Sequence, residues 1–399
     1  MKKSRIISVA LTLALVLTTV FAGTEGVFAD TTMSTKSLKA KAQVENGGTI
    51  NAVNQNNLPA SENIDNAYLQ FNGSSPATVK IKVSKASMLA IPMVLTNSSY
   101  ATLTDENGKV INGTTSTSYS SSVYISASQD IEDYRYVYFP VKAAGTYTLQ
   151  LKTGYGDGEA VLFATYATTS GGTLTKGKTY YGSSPNNTTK YYKVTAPSTG
   201  YFTVEFKSAA TTYPTFNIKL ANSKKTNLFK GGNGYEYISS SKNYKTRVGV
   251  AKGTYYIAVK TTDPFYGLNV KFTKVSESSG STKSKAKALY KGKTKKGIIT
   301  ASQSSTSGDW YKITVKKKQK VRIKLYALPG EGASYGGIKF TITGGKYTVG
   351  SVTQTLYYNK TESLISLNTN NTGYLYPGTY YIKVQKSNGG SGYYNIKWL

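Results

Sequence analysis

One nine-residue phrase occurs three times in this chain, and it constrains the fold more than any other feature. It reads KGTYYIAVK at 252–260 and PGTYYIKVQ at 377–385, and a more divergent copy, AGTYTLQLK, lies at 144–152. Apolar and polar side chains alternate in each copy, which is the pattern of a half-buried β-strand. We therefore expect the first Tyr of each phrase, and the apolar residues two and four positions later, to fill a β-sheet core.

The context of the phrase is also repeated. An aromatic, strand-like segment precedes each copy, and these segments are AYLQFN at 67–72, KYYKVT at 190–195 and DWYKIT at 309–314. A period of more than about one hundred residues indicates tandem domains rather than a solenoid of short repeats. We predict three domains, at 45–167, 168–275 and 276–399, joined by polar stretches rich in Gly and Ser.

The local patterns predict an all-β fold. The segment KQKVRIKLY, for example, places Val321, Ile323 and Leu325 on one face of a strand and basic residues on the other. Short strands rich in Tyr, Thr and Val, separated by Gly and Asn turns, are typical of antiparallel sandwiches. We therefore expect three tandem antiparallel β-sandwich domains, jelly-roll-like in form.

The first 29 residues have the pattern of a secretory signal peptide. A basic start leads into an apolar run and then into small residues, with cleavage after Ala29 favoured over cleavage after Ala22. Residues 30–44 are expected to form a flexible lead. No later apolar stretch approaches the roughly 18 residues of a spanning helix, so we expect no membrane insertion. Secretion without cysteine is more typical of a bacterium than of an animal, so we expect a secreted protein, extracellular or associated with the wall of a Gram-positive-like bacterium.

Charge is distributed unevenly along the chain. Lys and Arg number 49 against 19 Asp and Glu, for a net charge of +30. Residues 45–167 carry 7 basic and 10 acidic side chains, whereas 168–275 carry 16 and 3, and 276–399 carry 20 and 4. Solubility alone does not require this asymmetry. We therefore expect the second and third domains to bind a polyanion.

The outward positions of the basic strands define the candidate site. If the strands of the third domain share a sheet, their cations and one tyrosine cover a single surface, and the second domain has similar basic and aromatic groups. A solvated surface role is the simpler interpretation of any one lysine, but the whole set favours binding. The candidate binding residues are Lys312, Lys320, Arg322, Lys324, Tyr381, Lys383, Lys193, Tyr191, Lys245 and Arg247.

Four motifs of the third domain, in order, carry a resemblance to a known family. GDWYKITV, VRIKLY, PGTYYIKVQ and GGSGYYNIKW resemble the bacterial pre-peptidase C-terminal (PPC) domain, which is similar to the collagen-binding modules of clostridial collagenases. The resemblance is good over 281–399, fair over 171–275 and weak over 45–167. It implies compact, non-catalytic β-sandwiches that attach a secreted protein to a substrate, although no peptidase domain accompanies them in this chain.

The same resemblance raises the question of calcium. Many family members bind this ion through acidic residues before the first strand and an aspartate at the Asp-Trp-Tyr-like motif. Glu277 and Asp309 match those positions, but Lys283, Lys285 and Lys287 crowd the segment between them. Calcium takes roughly six to eight oxygen ligands, usually including several carboxylates. We therefore expect no cofactor or metal and disfavour calcium.

The residue inventory excludes several kinds of enzyme. Without histidine or cysteine, the chain cannot form a Ser-His-Asp triad, a Cys-His pair or a histidine metal site. We expect a non-catalytic binding protein for an anionic polysaccharide or a teichoic-acid-like polymer. A host matrix such as collagen is the next candidate partner, and nucleic acid is disfavoured.

Two alternatives remain open. One is a hydrolase with a carboxylate site in the first domain, anchored by the other two domains. Asp130, Glu132 and Asp133 lie close together there, and Asp157 and Glu159 flank a glycine turn. The other alternative is a surface or biofilm-matrix protein that binds copies of itself.

Overall fold

The computed structural model describes residues 43–60, 63–130, 133–184, 188–208, 216–225, 236–238, 243–329, 336–344, 352–357, 360–367 and 373–399. The predicted signal peptide (1–29) and residues 30–42 of the predicted lead lie outside these ranges. The last two residues of that lead, Gln43 and Val44, donate backbone hydrogen bonds to the Asn66 carbonyl oxygen at 3.2 and 3.1 Å, so they are part of the fold. Within the described ranges, no helix is both long and apolar enough to cross a membrane.

The first sandwich contains twelve strands in two sheets, together with a 3₁₀ helix at Gln55–Asn57. The strands are β1 (Thr49–Asn51), β2 (Val53–Asn54), β3 (Asn66–Phe71), β4 (Ala77–Val83), β5 (Ser87–Leu95), β6 (Ser99–Thr104), β7 (Val110–Ile111), β8 (Val123–Ile125), β9 (Arg135–Val141), β10 (Gly145–Thr153), β11 (Gly158–Phe163) and β12 (Thr165–Ala167). Sheet 1 has the order β1-β4-β10-β6-β7, with β8 also on β6. Sheet 2 has the order β2-β12-β5-β11-β3, with β9 also on β5.

The second sandwich comprises β13 (Thr179–Gly182), β14 (Lys190–Ala196), β15 (Gly200–Ser208), β16 (Phe216–Ala221), β17 (Glu236–Ile238), β18 (Asn243–Val250), β19 (Gly253–Thr261) and β20 (Tyr266–Lys274). Sheet 3 has the order β13-β20-β15-β18, and sheet 4 has the order β14-β19-β16-β17. All strand pairs within these two sheets are antiparallel.

The third sandwich comprises β21 (Lys287–Ala288), β22 (Thr294–Ile299), β23 (Asp309–Val315), β24 (Val321–Pro329), β25 (Gly337–Gly344), β26 (Val352–Leu356), β27 (Glu362–Leu367), β28 (Gly378–Ser387) and β29 (Gly392–Trp398). Sheet 5 has the order β21-β23-β28-β25-β26, and sheet 6 has the order β22-β29-β24-β27. The predicted domain boundaries fall between the last strand of one sandwich and the first strand of the next.

Alternation of apolar and polar residues builds each sandwich. On β24, Val321, Ile323 and Leu325 are buried, whereas the side chains of Arg322 and Lys324 are exposed. Each of the three main apolar cores contains side chains from both sheets of its sandwich, so burial of these faces holds the sheets together. The prediction of an all-β fold built from antiparallel sandwiches is confirmed, with short parallel pairings at β1–β4, β2–β12 and β21–β23.

The repeated phrase forms β10, β19 and β28, and its first tyrosine has the same role in all three sandwiches. The hydroxyls of Tyr147, Tyr255 and Tyr380 donate to the carbonyl oxygen four residues upstream, at 3.0, 2.9 and 2.9 Å. Their rings are buried in the cores. This hydrogen bond therefore connects the turn before the repeated strand to the strand itself, so the first tyrosine of the phrase has a structural role.

One predicted correspondence is wrong. KYYKVT and DWYKIT form β14 and β23, which pair with the repeated strands β19 and β28, but AYLQFN forms β3 and pairs with β11 in the opposite sheet. In the first sandwich the equivalent partner of β10 is β4, whose sequence is ATVKIKV. β4 has the required alternation, because Val79 and Ile81 are buried and Lys80 and Lys82 are exposed. β3 is instead buried on both faces, so the tyrosine in AYLQFN does not identify the partner of the repeated strand.

Neighbouring sandwiches are in contact. The Asn56 side chain bonds to both backbone groups of Tyr181, at 2.8 and 2.6 Å, beside an apolar cluster that includes Met88, Tyr138 and Phe265. The second and third sandwiches meet through sheets 3 and 6, where the Ala301 amide donates to Gly249 at 2.7 Å. In the described ranges, the larger strand contacts between these two sandwiches all join sheet 3 to sheet 6.

Candidate binding faces

The third sandwich presents a face of lysine and aromatic side chains on sheet 5. Cross-strand register places Trp310 opposite Lys383 and Lys312 opposite Tyr381, all pointing away from the core. The Lys383 ammonium lies 5.6 Å from the centre of the Trp310 ring, and the Lys283 ammonium lies 4.9 Å from the centre of the Tyr381 ring. These five residues are called the third-sandwich face below. Their spacing matches that of cation–π pairs.

The second sandwich carries an equivalent face on sheet 4. Lys193 lies opposite Tyr256 in the register of β14 and β19, and the ring of Tyr191 contacts that of Tyr256 edge-on at 6.4 Å. The Lys225 ammonium lies 4.9 Å from the centre of the Tyr191 ring and 5.8 Å from that of Tyr256. Tyr191, Lys193, Lys225 and Tyr256 are called the second-sandwich face below.

The first sandwich has the lysine of this arrangement but lacks its aromatic rings. Lys80 lies opposite Thr148, as Lys193 lies opposite Tyr256 and Lys312 opposite Tyr381. The position of Tyr191 and Trp310 is held there by a threonine, Thr78. Only the two strongly basic sandwiches therefore combine lysine and aromatic rings at these register positions.

The expectation that all the predicted cations of the third domain share one sheet is wrong. Lys312, Tyr381 and Lys383 lie on sheet 5, whereas Arg322 and Lys324 lie on β24 in sheet 6, on the other side of the sandwich. The chain crosses from one sheet to the other after β23 and does not return as a hairpin. Alternation within a strand fixes which side chains point outward but not which sheet the strand joins.

The same separation occurs in the second sandwich. Lys245 and Arg247 lie on β18 in sheet 3, opposite the sheet that carries Tyr191 and Lys193. Lys245 forms an ion pair with Glu205 at 3.0 Å, and Lys324 of the third sandwich forms one with Glu362 at 3.2 Å. These paired lysines are less suited to binding an external anion than the lysines of the two faces.

Lys320 occupies a third location, at one end of the third sandwich. The backbone of the adjacent Gln319 bonds to Leu375 in both directions, at 3.0 and 2.8 Å, which holds the basic turn against the following loop. The ammonium groups of Lys318 and Lys320 lie 5.1 and 5.7 Å from the centre of the Tyr374 ring. This group of basic and aromatic side chains is separate from the third-sandwich face.

Sequence reasoning missed four members of the two faces: Tyr256, Lys225, Trp310 and Lys283. Alternation places Tyr256 and Trp310 outward, so the register of the repeated strands contained the signal for both. Lys225 and Lys283 lie outside the strands, and no local pattern indicates that they reach the tyrosine rings.

A buried carboxyl group lies beside the inner part of sheet 5. Asp309 accepts a hydrogen bond from the Tyr394 hydroxyl, which is also bonded to the Tyr311 hydroxyl at 2.9 Å. Burial and the neighbouring Glu277 carboxyl raise the pKa of Asp309 to about 8, although the bond from Tyr394 lowers it. This carboxyl is therefore largely protonated at neutral pH.

The donor set around Asp309 does not fit calcium. It consists of two carboxyl groups and two hydroxyls, those of Tyr394, which donates to Asp309, and Ser279, which donates to Glu277 at 2.6 Å. No group of three or more acidic side chains suited to a metal occurs anywhere in the described ranges. Calcium takes roughly six to eight oxygen ligands, so these residues fall short of a site for it.

The acidic residues of the first sandwich that the structure describes are exposed or half-buried. Asp133 forms an ion pair with Arg135 at 2.7 Å, and Glu159 accepts from Gln70 at 3.1 Å, while Glu132 lies outside the described residues. Apolar side chains fill the space between the two sheets. The hydrolase alternative required a cleft with paired carboxylates, and a filled core argues against such a cleft here.

Comparisons with known proteins give only distant similarities. No protein-family model matches the chain, and no curated protein matches it. One similar structure is the pre-peptidase C-terminal domain of a collagenase from Bacillus anthracis, at 18% identity and a TM-score of 0.21, covering 32% of this chain and 100% of that one.

Two further structures are similar at the same level. CsCBM6-3 from Clostridium stercorarium, solved in complex with cellobiose, has 15% identity and a TM-score of 0.19 over 31% of this chain and 98% of that one. A protein from Eubacterium rectale has 11% identity and a TM-score of 0.24 over 62% and 85% of the two chains. At these identities and TM-scores, the similarities support no assignment of function.

Proposed function

We propose that this protein is a secreted, non-catalytic binding protein that attaches to an anionic polymer of the bacterial cell wall, of the teichoic-acid type. The observation that carries the proposal is the second-sandwich face and its counterpart on the third sandwich. Both place lysine and aromatic side chains at the same register positions, in the two parts of the chain with a large basic excess. The first sandwich, with more acidic than basic residues, lacks the aromatic members.

The chemistry of the faces suits a repetitive phosphate polymer. Lysine is a compact point charge that binds phosphate without fixed geometry, whereas bidentate recognition of a defined group favours arginine. Every cation of the two faces is lysine. The tyrosine and tryptophan rings add apolar contact area for the sugar or polyol units between the phosphates.

Two faces on one chain increase the affinity for a polymer. Among the described residues, the larger strand contacts between the second and third sandwiches join sheet 3 to sheet 6, which leaves sheets 4 and 5 available to engage a polymer together. When a second weak site engages the same polymer or surface, it acts at a high effective concentration. A wall covered with anionic chains provides many such second contacts.

The test measures retention of the full chain on isolated Gram-positive walls, before and after removal of teichoic acid, from about 50 to about 500 mM salt. We expect retention that requires the polymer and decreases steeply with salt. Salt-insensitive retention on stripped walls would overturn the proposal in favour of uncharged glycan recognition. Binding to sulfated matrix or collagen without binding to walls would overturn it in favour of a host partner.

A matched pair of variants assigns the binding to the faces. The double variant Lys193→Glu/Lys312→Glu changes both faces, whereas Lys80→Glu/Lys82→Glu makes the same charge change on the first sandwich. We expect at least about tenfold weaker binding for the first variant and a change within about twofold for the second. Equal losses would show that total charge, not the faces, determines binding.

A further inference from the structure

The first sandwich has exposed tyrosines of its own, on the outer face of sheet 1. Tyr100 on β6 and Tyr124 on β8 lie directly opposite each other, are 38% and 54% exposed, and contact edge-on at 5.6 Å. Tyr155, at the turn between β10 and β11, is 93% exposed. The preceding residue, Gly154, lies against the Tyr100 ring, since a Cβ atom placed on it would be 3.9 Å from that ring. Tyr100, Tyr124 and Tyr155 are called the tyrosine strip below.

The surroundings of the strip differ from those of the lysine faces. In the described part of the chain, no lysine ammonium lies over any of its three rings. Lys152 borders the strip across β10, and Asp157 follows Tyr155 at its other end, so the neighbouring charges are of opposite sign. Tyr124 and Tyr155 are more than half exposed, so their rings are accessible to an uncharged ligand.

A crevice continues the strip beyond Tyr124. Its volume is about 230 Å³, and it opens between β8 at an edge of sheet 1 and β9 at an edge of sheet 2. Its lining residues are Thr115, Tyr124, Ile125, Ser126, Tyr134, Arg135 and Tyr136. Because the charge of Arg135 is balanced by Asp133 at 2.7 Å, the lining offers polar hydrogen-bonding groups without a free carboxylate.

We propose that the tyrosine strip and this crevice bind an uncharged polysaccharide. The apolar faces of sugar rings stack on exposed aromatic side chains, and hydroxyl groups around a concave site bond to sugar hydroxyls, whereas the Arg135 guanidinium already donates to the Ala127 carbonyl oxygen at 3.0 and 3.3 Å. The crevice is smaller than the roughly 300 Å³ of ordinary ligand pockets, so it holds one sugar residue while the strip supports its neighbours. This site lies on another sandwich and takes another ligand class than the proposed wall-polymer faces.

The test is depletion of the full chain from solution by insoluble uncharged polysaccharides, namely cellulose, chitin, xylan and a β-1,3-glucan, at about 0.5 M salt. Such salt suppresses binding through exposed charges. We expect retention on at least one of these polymers, and at least about tenfold weaker retention of Tyr100→Ala/Tyr124→Ala. Tyr290→Ala is the matched control, because this tyrosine is 66% exposed on the third sandwich.

Three results would overturn this proposal. They are absence of retention on all four polymers, equal retention of wild type and the double variant, and loss of a concentration-dependent dimer in that variant without loss of retention. The last result would assign the strip to self-association. Thermal unfolding of each variant confirms that it is folded. The lysine variants of the two faces should retain uncharged-glycan binding, so failure of one proposal is distinguishable from failure of the other.

Discussion

The first and third sandwiches have the same strand pairing and buried tyrosine around the repeated phrase, but they differ in their exposed side chains. Both place the repeated strand beside a partner strand in the same register, and both bond the first tyrosine of the phrase to the carbonyl oxygen four residues upstream. Outside, the third sandwich has lysines over Trp310 and Tyr381, whereas in the described residues no lysine lies over the exposed rings of Tyr100, Tyr124 and Tyr155 in the first. Inward positions maintain the fold, so outward positions are free to define different ligands.

The largest expected effect concerns a position on the partner strand at which each of the three sandwiches has a different residue. Ala77 of the first sandwich, Lys190 of the second and Asp309 of the third occupy equivalent positions at the start of the partner strand. The folded-state pKa of Asp309 is about 8, well above the roughly 3.9 of an unfolded chain. Between these values the native state holds a proton that the unfolded state has lost, so this group makes stability fall as pH rises from about 4 to about 8.

Asp309→Asn should remove that decrease. We expect its stability relative to wild type to rise by at least about 2 kcal/mol between pH 4 and pH 8, measured by urea unfolding. Glu362→Gln, at an exposed carboxyl of the same sandwich, is the control and should follow the wild-type profile. Parallel pH profiles for Asp309→Asn and wild type would show that the buried carboxyl does not titrate as described.

The next prediction tests whether the first tyrosine of the phrase stabilises all three sandwiches to the same extent. Tyr147→Phe, Tyr255→Phe and Tyr380→Phe each remove one hydroxyl that donates to a backbone carbonyl. We expect each to lose about 1 kcal/mol of unfolding free energy, measured by denaturant titration. Tyr381→Phe, at an outward tyrosine of the same phrase, should change stability by less than about 0.5 kcal/mol. A loss confined to one sandwich would contradict the shared role of the phrase.

The smallest effect concerns the aromatic members of the faces. Tyr256→Thr and Tyr381→Thr copy the threonine that the first sandwich has at this position, Thr148. Each removes a ring that offers apolar contact area beside a lysine, so we expect about threefold weaker binding to wall polymer. Thr148→Tyr should leave that binding unchanged. Full affinity of both threonine variants would show that only the charged groups of the faces contribute to polymer binding.

Much of the fold could be predicted from the sequence, because alternation directly reports burial. The inward residues of β15, β24 and β28 follow from their period of two, as does the outward position of Lys312 and Tyr381. Pairing between sheets is a long-range property that alternation does not report. For that reason the sequence did not predict that Arg322 and Lys324 lie on the opposite sheet from Lys312, Tyr381 and Lys383.

The error at β3 has a similar cause. A tyrosine in AYLQFN suggested equivalence with KYYKVT and DWYKIT, but the alternation of ATVKIKV in β4 was the physically relevant match. Lys225 follows β16 and Lys283 precedes β21, and each contacts rings on other strands of the sheet to which that strand belongs. No periodicity describes such contacts, so these two members of the faces appear only in the structure.

The most direct test of the central claim compares two faces of one sandwich. Lys312→Glu/Lys383→Glu and Arg322→Glu/Lys397→Glu change net charge equally, on sheet 5 and sheet 6 of the third sandwich respectively. Affinity of the full chain for soluble teichoic acid would be measured at several salt concentrations. We predict about tenfold weaker binding and a shallower salt dependence for the sheet 5 variant, and a change within about threefold for the sheet 6 variant. Equal losses from both variants would contradict the account.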